Sequence, residues 1–205
     1  MKVKLIRYTC EPEMLAGYAA AKCYNGKDPR KSLEVAMDGG HESVLEHAVF
    51  TFEVDEVSRV LLAQITRHRL ASFSVQSQRY CGANQNVVTP DSMVHPELLG
   101  DIVAVKKAVE RLYKHARELG ISHEDCRYYT LQGGHTGFVM TMNGRELRHF
   151  FSLRCCNRAQ WEIRDLADKM LELVKEVAPV MFADAGPGCV RGHCPEHKPC
   201  GRPRK

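Results

Sequence analysis

Residues 47–55, HAVFTFEVD, alternate without a break: Ala48, Phe50, Phe52 and Val54 fall on one side, Val49, Thr51, Glu53 and Asp55 on the other. A period of two puts alternate side chains on opposite faces of a strand, so this segment predicts a strand with one apolar face. Such a strand needs neighbours in a sheet and a second layer over its apolar side. The rest of the chain offers few strands and many helices. Lys2–Tyr8 and the segment GFVMTM at 137–142 read as further strands. Pro12 opens a helical stretch through Met14, Leu15, Tyr18 and Lys22, and Asp28-Pro29 starts a second helix closed by Gly39-Gly40. Val57, Val60, Leu61, Gln64 and Ile65 share a helical face that runs into Arg67, and residues 87–96 read as a loop. Leu98, Ile102, Val105, Val109, Leu112, Ala116 and Leu119 fall at helical spacing over 97–119, and Ser122 begins a further short helix. Asn143 caps a helix through Leu153, and a last amphipathic helix spans 160–182. Strands and helices do not alternate regularly. The pattern predicts an α+β fold: an antiparallel sheet core packed with several helices, in a single domain.

Charge bears on which partners this fold could take. The 205-residue chain carries a net charge of +4. All of it lies in residues 185–205, where Arg191, Lys198, Arg202, Arg204 and Lys205 face only Glu196. The preceding body holds 24 basic and 24 acidic residues, so bulk charge does not make it a nucleic-acid binder. The same tail holds three of nine cysteines, four of nine prolines and four of fifteen glycines, which sets a boundary near Asp184. The expected organisation is a globular domain over 1–184 and a basic Cys/His-containing tail over 185–205. No apolar run approaches the ~20 residues needed to span a bilayer, and MKVKLIRYTC is too short and polar for a signal segment. With nine cysteines, that predicts reduced thiols and a cytoplasmic location, with no membrane partner.

An anion site in a neutral body must be built locally. Residues 67–80, RHRLASFSVQSQRY, hold three arginines, a histidine and three serines, with no acid and no lysine. The planar guanidinium pairs bidentately with phosphate, and hydroxyls complete such a cradle; the competing reading is a solvated basic face. A second basic group follows at Asn143, Arg145, Arg148, His149, Arg154, Arg158 and Arg164, with Arg145 and His149 one turn apart. Its plain reading is surface ion pairing with Glu146, Glu162 and Asp165, preferred for Arg158 and Arg164. No GxGxxG or Walker loop is present.

The 67–80 segment closely resembles the RHRxxSxxxxSxR signature of the flavin-dependent thymidylate synthases. His41-Glu42-Ser43 with Glu46-His47, and Asn143, Arg145, Leu153-Arg154 and Ala159–Ile163, resemble that family's upstream and downstream segments. The resemblance implies reductive methylation of dUMP to dTMP, with methylenetetrahydrofolate as carbon donor, FAD as redox carrier and NADPH as hydride source. It also implies a homotetramer with sites shared between subunits. Carried over by position, FAD falls to Ser43, Glu46, Arg67, His68, Arg69, Asn143, Arg145 and His149. The nucleotide falls to Gln64, Arg67, Ser77, Gln78 through its backbone, Arg79, Arg127 and Arg154. Arg154 is the expected catalytic residue, stabilising charge that develops on the uracil ring, and His41 lies on the folate and nicotinamide side.

Ser77 has no Gly-x-Ser-x-Gly elbow and is expected to touch nucleotide rather than act as nucleophile. No cysteine carries the signature of a primed nucleophile, so no covalent enzyme intermediate is expected. Ser74 and Val75 stand where many family members carry Asn and Glu, so a ligand-contacting carboxylate is missing from this loop. In the tail, Cys189, His193, Cys194, His197 and Cys200 could hold zinc, form a disulfide or stay mobile; no metal is assigned. Two other readings remain at this point: a non-catalytic nucleic-acid-binding module, and a flavoprotein that oxidises NADPH without methylating.

Overall fold

The computed structural model describes residues 1–84 and 86–204; Gln85 and Lys205, the last basic residue of the tail, lie outside the described residues. Strands β1 (Lys2–Tyr8), β2 (Val49–Ser58), β3 (Ala71–Val75) and β4 (His135–Asn143) form one antiparallel sheet in the order β1-β2-β4-β3. The helices are α1 (Pro12–Tyr24), α2 (Pro29–Asp38), α3 (Arg59–Ile65), α4 (Pro96–Glu118), α5 (His123–Cys126), α6 (Gly144–Arg154) and α7 (Trp161–Val177). The α+β class expected from the patterning is the one found. Among the described residues no helix is long and apolar enough to cross a membrane.

Contacts divide the chain into two compact units. One comprises residues 3–53, 66–73 and 139 onward. Here the alternation of β2 works as read: Ala48, Phe50 and Phe52 are fully buried, and on the other face Thr51 and Thr141 join β2 to β4 by a 2.9 Å hydrogen bond between their hydroxyls. Phe50, Phe151 and Phe182 meet edge to face at ring distances of 5.5 and 6.0 Å, the geometry the aromatic quadrupole favours. Helices α1 and α2 pack tightly because Gly17 has no side chain; a Cβ there would collide with the Pro29 carbonyl oxygen. Asp28 caps α2 by accepting from the Arg30 N–H at 3.0 Å, and Asn143 caps α6 by accepting from the Glu146 N–H at 2.9 Å.

The other unit comprises residues 1–2, 54–65 and 74–138. Leu61, Leu62 and Ile65 form its buried helical face. Tyr113 of α4 lies over His123, with its hydroxyl 2.8 Å from Nδ1, and the same hydroxyl accepts from the Ala83 N–H. The stretch before β4 is tied by a Val87–Gly134 bridge.

Several boundaries differ from the sequence reading. His47 belongs to a 3-10 turn over Glu42–His47 that buries Val44 and Leu45, so β2 starts two residues later and runs on through Val57 to Ser58. Val60 is exposed, and Leu62 takes the buried place on α3. Pro96 opens α4 rather than closing a loop, and α7 stops at Val177, before Pro179. Strand β3 was hidden inside the arginine-rich signature, although Ala71, Phe73 and Val75 alternate with the exposed Ser72 and Ser74. None of the 23 residues of α4 is buried, and Leu98, Val105 and Leu112 of its apolar stripe are exposed.

Arg148 is a buried charge, only 5% exposed. Its Nε donates to Glu42 at 2.7 Å, and its Nη1 donates to Asp184 and to the Met181 carbonyl, both at 2.7 Å. Burial opposes its charge, but the two carboxylates outweigh that and hold its pKa above the ordinary value. In turn Arg148 holds the Asp184 carboxyl below the usual range. Truncating one member of such a cluster leaves the others unpaired, so Arg148→Ala is expected to cost about 3 kcal/mol in urea unfolding. Because the Asp184 pKa is lowered by folding, the pair's contribution is present above about pH 4 and lost as pH falls through the lowered value.

Candidate functional site

The unit built on α6 holds all the residues expected at FAD. Arg67 and Arg69 are exposed and have no ion-pair or hydrogen-bond partner among the described residues. His68 between them is turned inward: its Nδ1 lies 3.0 Å from Glu146 Oε1, and its Nε2 accepts from Arg154 Nε at 3.2 Å. The accepted bond puts the imidazole proton on Nδ1, donated to Glu146. Burial is the main influence on His68 and pulls its pKa below the ordinary value; the hydrogen bond to Glu146 opposes this, and Arg154 reinforces it. The ring meets Phe150 edge to face at 5.0 Å and lies 6.0 Å from the exposed His149. Arg145 pairs with Glu46 at 2.6 Å, so these two expected ligand contacts hold each other. Ser43 and His41 are exposed at the 3-10 turn, with the His41 ring 5.7 Å from Tyr24.

Arg154 is half-buried at the last turn of α6. Burial lowers its pKa, and among the described residues no carboxylate pairs with it. Its one partner is His68, through Nε, so the two terminal nitrogens are unpaired among the described residues. Arg154 lines a cavity of about 740 Å³ together with residues of the tail, among them Pro187, Cys189, Cys200 and Arg204. The composition boundary near Asp184 is not where burial ends, because Ala185, Gly186 and Pro187 are buried. The tail is tied down by Arg204 on Asp168 at 2.8 Å and by Asn157 donating to the Arg202 carbonyl at 2.6 Å.

Of the residues expected at the nucleotide, Arg67 and Arg154 belong to this unit, while Gln64, Ser77, Gln78, Arg79 and Arg127 belong to the other. There, Gln78 and Arg127 line a pocket of about 260 Å³ together with Arg59 and Thr130. Ser77 Oγ accepts from the Arg79 N–H at 3.2 Å, and the Arg79 side chain reaches Glu124 at 3.1 Å. The Gln64 side chain donates to the Val60 carbonyl at a long 3.5 Å. Arg59 was missed by the sequence reading because it stands alone at the head of α3, outside any cluster. Glu146 was read as a surface partner for arginine, yet it is buried on His68. The spacing Glu146, Phe150, Arg154, one turn apart each along a single face of α6, was the signal that could have found it.

The remaining ion-pair expectations need correction. Arg158 pairs with Glu196 at 3.8 Å and donates to the Lys198 carbonyl, and Arg164 donates to the Asn157 carbonyl at 3.1 Å. Asp165 is taken by Lys169 one turn on.

The Thymidylate synthase complementing protein family model matches residues 4–180. The flavin-dependent thymidylate synthase of Geobacter sulfurreducens is 43% identical, over 96% of this chain and 91% of that protein. The chain belongs to the flavin-dependent thymidylate synthase family. A second family member, from Pyrococcus abyssi, is 39% identical over 97% of this chain and 91% of its own length. Among solved structures, the flavin-dependent thymidylate synthase of Helicobacter pylori, complexed with FAD and dUMP, aligns with a TM-score of 0.73 at 26% identity, over 91% of this chain and all of that one. A UMP/dUMP methylase from Streptomyces cacaoi, bound with 5-Br dUMP, shares the fold with a TM-score of 0.77 at 22% identity, over 89% of this chain and 93% of that one.

All nine cysteines are free thiols, and among the described residues no group of three or more His, Cys, Asp or Glu is arranged to hold a metal ion. Burial, with Asp168 adding to it, pushes the Cys155 thiol far up, so it stays protonated and unreactive. In the native protein Cys10, Cys23 and Cys81 are expected to react with an aromatic disulfide reagent within minutes, and Cys155 only on unfolding. Peptide mapping of the labelled protein checks this.

Proposed function

We propose that this chain methylates dUMP reductively to dTMP, with methylenetetrahydrofolate as carbon donor, FAD as redox carrier and NADPH as hydride source, in the cytoplasm. The observation that carries the reading is Arg154: a half-buried cation that, among the described residues, has two free terminal nitrogens and no carboxylate to balance it. Such a group is poised for an anion, and charge developing on a uracil ring as it attacks a methylene carbon is one. When bound, FAD supplies the redox chemistry that side chains lack.

The donor set fits a flavin dinucleotide. Two guanidiniums unpaired among the described residues, Arg67 and Arg69, stand beside the inward His68, and a pyrophosphate is the kind of anion they suit. Asn143, Arg145, His149, Ser43 and Glu46 are proposed to complete that site, with His41 toward the folate and nicotinamide. Gln64, Arg67, Ser77, Gln78, Arg79, Arg127 and Arg154 are proposed to bind dUMP. The pocket shared by Gln78 and Arg127 supports this, and Arg59 joins the set as a further cation. These residues bind and orient; no nucleophile of the protein is required. Catalysis is assigned to residues 1–184, and the tail is proposed to be separable from it.

A homotetramer with shared sites is proposed as the working form. The uncovered apolar side chains of α4, Leu98, Leu99, Val103, Val105 and Leu112, support it, since water is a poor neighbour for such a stripe. Leu112→Asp is expected to shift the protein to smaller species in sedimentation velocity.

The deciding experiment is dTMP formation by FAD-loaded protein given dUMP, methylenetetrahydrofolate and NADPH. NADPH oxidation without dTMP would overturn the proposal, as would a colourless protein that cannot take up FAD. Arg79→Ala is expected to weaken dUMP binding at least tenfold, as loss of a charge-assisted contact does, while flavin content stays unchanged. Ser77→Ala is expected to retain measurable turnover, and truncation after Asp184 to leave methylation largely intact.

A further inference from the structure

Arg154 is held in an unusual way for a half-buried cation. A carboxylate in direct contact would pair bidentately and use the terminal nitrogens that a ligand needs. Here a neutral imidazole stands between the cation and the acid. Glu146, Phe150 and Arg154 follow each other at one-turn intervals along α6, about 12 Å from first to last along the helix axis. His68 lies across that face, with its ring against Phe150 and its two nitrogens engaged at opposite ends. His68 and Glu146 are 5% and 6% exposed, so this hydrogen-bonded row is dry for two of its three members. The Asn143 cap fixes the Glu146 backbone at the head of the helix.

We propose that Glu146 and His68 are positioning residues for Arg154: a buried carboxylate–imidazole pair that holds the guanidinium by its Nε and leaves both terminal nitrogens to the anionic ligand. The nature of that ligand, dUMP, rests on the function proposed above; the positioning itself rests on the geometry. His68 has no ring nitrogen left for a ligand, so its effect on chemistry passes through Arg154. The arrangement works in one protonation state only. A proton added at Nε2 would face the Arg154 Nε–H, donor against donor and cation against cation. The charged and titratable groups facing the ring are Glu146, Arg154 and His149, all on α6, while Arg67 and Arg69 flank it in its own segment. Of these only Glu146 favours the protonated ring, and burial opposes it. The row therefore stays intact at neutral pH and breaks on the acid side.

The test compares His68→Phe, His68→Gln and Glu146→Gln in the FAD-loaded full chain. Phenylalanine keeps the ring against Phe150 but has no nitrogen; a glutamine amide oxygen can stand in for Nε2. His68→Phe is expected to lower kcat about 100-fold, the scale of losing one placed donor to a developing anion, with flavin content unchanged. His68→Gln is expected to stay within about fivefold of wild type, because its amide still accepts from Arg154. In Glu146→Gln the acid limb of the pH–rate profile moves to lower pH, since the carboxylate that favours His68 protonation is gone; in His68→Gln that limb disappears. Loss of flavin in His68→Phe, equal damage in the Phe and Gln variants, or an acid limb unmoved in both Gln variants would overturn the proposal. If His68→Phe fails to fold, the pH profiles of the two Gln variants decide. If the wild type forms no dTMP, the proposed activity fails, and positioning is judged by dUMP affinity. His68→Phe should then weaken it about tenfold and His68→Gln should not; equal affinities in the two would overturn positioning as well.

Discussion

A buried arginine needs its charge answered, and Arg148 is answered from two directions at once. Glu42 comes from the turn before β2, and Asp184 from the segment after α7. Both converge on the middle of α6, which is thereby fixed along its length as well as packed through Leu147, Phe150 and Phe151. The cost of burying the charge is offset only while all partners are present. The position of α6 therefore depends on residues 42 and 184, far apart in the chain.

With α6 so placed, its faces do different work. Leu147, Phe150 and Phe151 close the aromatic core, while the row from Glu146 through Arg154 takes up His68 from the segment before β3. An ion pair on the surface, such as Lys169 with Asp165, is worth little in water. The buried row is different in kind: desolvation makes each hydrogen bond count and makes the unpaired end of Arg154 reactive toward anions. A body with no net charge can in this way present a strong local cation. The +4 carried by the tail is a separate matter, and part of it is spent on Asp168 and Asp184.

Legibility in the sequence followed the range of the interaction involved. Helix starts were readable because capping is local: Asp28, Ser122 and Asn143 each bond to a backbone N–H two or three residues on. The core face of β2 was readable because strand alternation needs no partner to be seen. Strand β3 carried the same alternation, but over only five residues, set between the arginines of the signature. The α4 stripe was readable as amphipathic, yet periodicity cannot tell what covers it, and nothing among the described residues buries it.

The chain's order of residues by itself determined the α+β class, the helix caps, the apolar faces and the family signature, because each depends on neighbours a few positions apart. Only the tertiary structure decided which charges are buried and whom they meet. His68 and Glu146 are 78 residues apart, and Arg148 and Glu42 are 106 apart. Burial is what turned Glu146 from a surface acid into the end of a buried row, and made Arg154 a half-desolvated cation with free donors. Desolvation is a property of everything packed around a group, so no spacing along the chain could announce it.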